Sequence, residues 1–82
     1  METDRRHTVA ANVRVELARR RIRQTSLAEA LGMSQTALSR RLAGDVAFDV
    51  DELARVARHL GVATSDLLGS DVVTTGTSGA GT

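Results

Sequence analysis

The sequence predicts an all-α domain of four to five short helices in a single compact unit, and three observations carry that expectation. Apolar residues recur at one-turn spacing in successive segments, as at Val9, Val13 and Leu17 and again at Leu53, Val56 and Leu60. Glycines stand where those segments run out, at Gly32, Gly44, Gly61 and Gly69, and glycine adopts the left-handed turn that ends a helix at little cost. Capping residues stand where new segments begin, most clearly Ser34 and the pair Asp49 and Glu52.

Residues 1–7 are polar, charged and without periodicity, and are expected to form a flexible N-terminal arm. Thr8 is a suitable N-cap for a first helix that buries Val9, Val13 and Leu17, with Ala10 and Ala18 beside them. The opposite side of that helix carries Arg14, Arg19 and Arg20. Its C-terminal end runs into Arg19-Arg20-Arg21-Ile22-Arg23, where the helix dipole favours cations. Arg14 and Arg19 are candidates to meet a phosphate.

The stretch from Gln24 to Gly44 reads as two short helices joined by a tight turn at Gly32, the pattern of a helix-turn-helix. Leu27, Ala28 and Leu31 mark the apolar side of the first. The second, capped by Ser34, has two faces: Ala37, Leu38 and Leu42 on one, and Gln35, Thr36, Ser39 and Arg40 on the other. Amides, hydroxyls and a guanidinium carry the donors and acceptors that match base edges and phosphate oxygens in a DNA major groove.

At these residues the sequence resembles the phage repressor and Cro-like helix-turn-helix family, also called the xenobiotic-response-element family. The resemblance runs from about Thr8 to Gly69. Its marks are Gln24, Leu27-Ala28, Leu31-Gly32, the run Ser34-Gln35-Thr36-Ala37-Leu38-Ser39-Arg40, Gly44 and the later Leu60-Gly61-Val62. It implies a lambda-repressor-like DNA-binding domain over residues 8–69, with base contacts from Gln35, Thr36 and Arg40. It also implies that Gln24 lies close to Gln35 and touches the backbone. Ser34, Ser39 and Arg41 join Gln24, Arg14 and Arg19 as expected phosphate contacts. The chain departs from the family pattern at two places. Arg23 stands where Thr or Ser usually caps the first helix of the motif, so that helix has an alternative start at the box Ser26-x-x-Glu29. Arg41 stands where an aliphatic residue is usual, and its stem is expected to cover apolar surface while its head reaches solvent or phosphate.

Beyond the loop Gly44-Asp45-Val46-Ala47, Asp49 and Glu52 form a capping box, and Phe48 faces Leu53 as a hydrophobic staple. A helix from Val50 to Leu60 follows, burying Leu53, Val56, Ala57 and Leu60 and turning Asp51, Arg55 and Arg58 to solvent. His59 falls in its last turn. Thr64 to Gly69 reads as a short capped helix whose Leu67 and Leu68 need cover, and in the resembling family this end of the domain often meets a second subunit. Residues 70–82 read as a flexible Gly-, Ser- and Thr-rich tail, with an edge strand on a partner at Val72 to Thr75 as the alternative.

The net charge of +1 conceals an asymmetry. Met1 to Gly44 holds nine Arg against four acids, a net of +5, and Asp45 to Thr82 holds two Arg against six acids, a net of −4. The basic half is the half with the helix-turn-helix, and all its cations are Arg, whose planar fork suits phosphate and guanine. With no cysteine, and with its two histidines at the terminus and at a helix end, the chain offers no nucleophile motif and no metal or cofactor site. An enzyme is therefore not expected. Phe48 is the only aromatic residue, which disfavours RNA or single-strand binding by stacking. No apolar run approaches the ~20 residues of a membrane span, and a cytoplasmic location is expected. The expected partner is double-stranded DNA, bound by a homodimer on a two-fold operator as a transcriptional repressor of phage or bacterial type. The competing reading is a DNA-binding antitoxin or an adaptor that binds a protein through the C-terminal tail.

Overall fold

The computed structural model describes residues 5–69 and arranges them as five helices: α1 (Arg5–Arg20), α2 (Gln24–Leu31), α3 (Gln35–Leu42), α4 (Val50–Leu60) and α5 (Thr64–Leu68). There is no strand among the described residues. The tail expected over 70–82, its alternative strand at Val72 to Thr75, and the first four residues of the expected arm lie outside them.

The largest fully buried side chains are Val13, Leu27, Leu38, Val56 and Leu67, one from each helix. Around them pack Val9, Leu17, Ala28, Leu31, Leu42, Leu53, Ala57 and Leu60, with Phe48 half-buried at the edge. Apart from Phe48, which precedes the α4 cap, these positions lie on the apolar faces read from the sequence. No buried side-chain nitrogen or oxygen is left without a partner among the described residues.

Four helices end in the same way. A residue just past the helix takes a positive φ, directly after it at Arg21 (55°), Gly32 (69°) and Gly61 (76°) and one residue further on, beyond Ala43, at Gly44 (87°), and the residue after that donates its amide back across five residues. These bonds are Ile22 to Leu17, Met33 to Ala28, Asp45 to Arg40 and Val62 to Ala57, at 2.9–3.0 Å. This double closure satisfies carbonyls that a helix end leaves open. Ile22, Met33 and Val62 also pack on the core, so three of the stops carry a hydrophobic latch.

The start of α1 differs from expectation, whereas α5 begins at the expected Thr64. α1 is already helical at Arg5, so Thr8 lies inside it instead of capping it, and Arg5, Arg6 and His7 are helical instead of part of an arm. Tertiary bonds account for this: Arg5 Nη1 donates to the Leu68 carbonyl at 3.2 Å and Arg6 Nη1 to the Asp45 carbonyl at 3.3 Å. α5 begins at Thr64 with Ala63 as its N-cap, and the Asp66 carboxylate accepts the Ala63 amide at 3.1 Å. Asn12 Nδ2 donates to the Leu67 carbonyl at 2.9 Å, tying α5 to α1. α4 spans the expected residues, and both bonds of its capping box form: Glu52 N–H to Asp49 Oδ1 at 2.7 Å and Asp49 N–H to Glu52 Oε1 at 3.0 Å.

Candidate nucleic-acid interface

α2 and α3 form the two helices of the turn motif. α2 starts at Gln24, not at the Ser26 box: Arg23 is its N-cap, extended at φ −77° and ψ 147°, and no side chain caps the end. The Arg23 carbonyl accepts the Leu27 amide at 3.2 Å, so the backbone alone sets the first turn. Ser26 sits within that turn, its hydroxyl 3.2 Å from Nε2 of His59 on α4. Gln24 occupies the first helical position, exposed and with no side-chain bond among the described residues.

α3 is fixed from both sides. Ser34 Oγ accepts the Ala37 amide at 3.0 Å, and Leu38 and Leu42 are sealed in the core. Gln35, Thr36, Ser39 and Arg40 are left exposed on one face, and none of their side chains bonds to another described residue. A row of exposed donors and acceptors on a helix whose back is buried has the form a groove reader requires.

The C-terminal end of α3 is held by α1. Arg14 Nη1 donates to the Leu42 carbonyl, Arg6 reaches the Asp45 carbonyl, and the ring of His7 lies over buried Gly44. Arg14, an exposed residue, thus spends one of its nitrogens on positioning α3. Arg19 is 68% exposed and sits 3.6 Å from Glu16 on its own helix.

Arg41 is arranged otherwise than the sequence suggested. Its Nε and Nη2 donate to the two carboxylate oxygens of Glu52 at 3.0 and 3.3 Å, and Nη1 donates to the Ala37 carbonyl at 3.0 Å. The head is bound to Glu52 of α4 and to the backbone of its own helix, and the side chain is 19% exposed. Sequence reading assigned Glu52 to the capping box alone. Glu52 in fact serves both partners, with Oε1 accepting from Asp49 and from Arg41.

A helix-turn-helix family model matches residues 14–67, from the middle of α1 to the end of α5. The chain belongs to the Cro/C1-type helix-turn-helix family. It is accordingly a DNA-binding regulator of that type, and double-stranded DNA is its partner. No curated protein and no solved structure gives a significant match. Among the described residues no helix is long and apolar enough to cross a membrane, and no group of three or more His, Cys, Asp or Glu is placed to hold a metal ion.

Proposed function

We propose that this regulator is a sequence-specific repressor that acts by occupying its operator as a homodimer. The observation that carries the reading is the exposed, unbonded row on α3, backed by buried Leu38 and Leu42. Gln35, Thr36 and Arg40 read base edges in the major groove. Gln pairs bidentately with adenine and Arg with guanine, each pair contributing about 1–3 kcal/mol of discrimination. Gln24, Ser34, Ser39, Arg14 and Arg19 hold phosphates and set the register. Arg41, committed to Glu52, positions α3 and is not assigned to phosphate.

One such helix reads only a few base pairs, so operator-level specificity calls for two copies on a two-fold site, with half-sites about 34 Å apart. Selection from a random duplex pool at near-physiological salt tests this, because purely electrostatic binding fades there. The expected product is a motif with two-fold symmetry bound by two chains. A pool that stays random after repeated rounds would remove the specific reader, and a motif without symmetry would remove the dimer.

A further inference from the structure

We propose that the groove between α2 and α4 is a second anion site, one that takes a phosphate group. The groove is about 440 Å³ and is lined by Ala30 of α2 and by Arg55, Arg58 and His59 of α4. The half of the chain after Gly44 is acidic, with six carboxylates against two Arg, and both of those Arg line this one groove. Neither guanidinium has a hydrogen bond or ion pair among the described residues, although Asp51 stands one turn before Arg55 and Glu29 adjoins Ala30. Arg14 is engaged with a carbonyl, Arg20 with Glu16 and Arg41 with Glu52, whereas Arg21, Arg23 and Arg40 share the unbonded state of Arg55 and Arg58 but do not line this groove.

Beside the groove, the Ser26 hydroxyl lies 3.2 Å from Nε2 of His59, which ties the imidazole of α4 to α2. Two planar forks at i and i+3, with an imidazole next to them in sequence, line this one groove. A phosphate group, with three or more acceptor oxygens, can use them together.

Two sources of phosphate share this chemistry. One is the backbone of a bound duplex beyond the α3 contacts, and that arm rests on the DNA-reading function proposed above. The other is a free phosphorylated molecule, and that arm does not. The test uses the full chain and the double variant Arg55→Gln/Arg58→Gln, whose exposed side chains leave the core intact, with thermal melting as the control for folding. Inorganic phosphate is titrated into the DNA-free protein while resonances of Ser26, Arg55, Arg58 and His59 are followed, and duplex affinity is measured against salt for both proteins.

Saturable shifts confined to these residues, lost in the variant, with an unchanged salt slope, identify a free-ligand site. A slope flatter by about 0.9 for each phosphate lost identifies the duplex backbone as the source. Either result supports the site. An absence of saturable shifts in the natural protein together with identical slopes overturns it. Arg40→Ala, which tests the base reading, leaves the phosphate titration unchanged, so failure of one proposal is separable from failure of the other.

Discussion

Arg40 and Arg41 are neighbours in sequence with opposite surroundings, and the difference decides what each substitution does. Arg40 is exposed and makes no bond among the described residues. Arg40→Ala is expected to leave the thermal transition unchanged and to weaken operator binding by about 1–3 kcal/mol, relaxing preference at one base pair. Equal losses on operator and random duplex would sink the base-reading role. Arg41 has its head on Glu52 and Ala37, with its side chain 19% exposed. Arg41→Ala is expected to lower stability by about 1–2 kcal/mol, since charged hydrogen bonds out of full solvent are the stronger ones. It should leave the salt slope of DNA binding where it was, and calorimetry with a salt series checks both. The sequence could place Arg41 on the buried side of α3 because periodicity is local. It could not reveal the acid that holds it, because Glu52 is already accounted for by a capping box three residues long.

The same boundary between local and distant causes runs through the elements. α4 was legible to the residue, since its cap, box and glycine stop all lie within or beside it. The start of α1 was not, because the bonds of its first turn reach 63 and 39 residues away. The helix stops give a sharper test. Gly32, Gly44 and Gly61 take the left-handed conformation without penalty, whereas Arg21 takes it with a Cβ, at a cost of about 1–2 kcal/mol. Arg21→Gly is expected to recover about 1 kcal/mol in a denaturant titration, the remainder being offset by the greater freedom of glycine in the unfolded chain. No gain would mean that Arg21 has a stabilising contact beyond its backbone. Gly44 differs from Gly32 in its surroundings: a Cβ at Gly32 meets nothing within 4 Å, whereas one at Gly44 collides with the His7 ring. Gly32→Ala should cost about 1 kcal/mol from backbone strain alone, and Gly44→Ala should cost more. Pairing Gly44→Ala with His7→Ala should recover the excess. Additive losses in that double mutant would show that α1 does not press on the end of α3.

For the molecule as a whole, the decisive feature is that the deepest side chains come one from each helix. The core is thus shared by all five helices, and the exposed face of α3 is backed by it. With one aromatic residue in the chain and no cysteine, the core is aliphatic and lacks covalent reinforcement. A domain this small has about 60% of its surface to bury and a stability near the low end of the usual range of about 5–15 kcal/mol. The charge division adds a constraint under the proposed reading, in which the basic half lies against DNA, because the acidic half supplies the Glu52 that holds Arg41 of α3 in place. On the proposed reading, folding and base recognition are coupled through α3, which places Leu38 inside and Gln35, Thr36 and Arg40 outside. Leu38 is fully buried, so Leu38→Ala removes apolar contact and leaves a cavity, at a cost of about 2–5 kcal/mol. Each kcal/mol lowers the melting temperature of so small a domain by about 4–8 °C. The expected result is a fall of at least about 8 °C, with specific and non-specific DNA binding lost together above the new midpoint and both retained well below it. A melting temperature within a few degrees of the natural protein would place Leu38 outside the shared core, and the coupling of fold to reading would go with it.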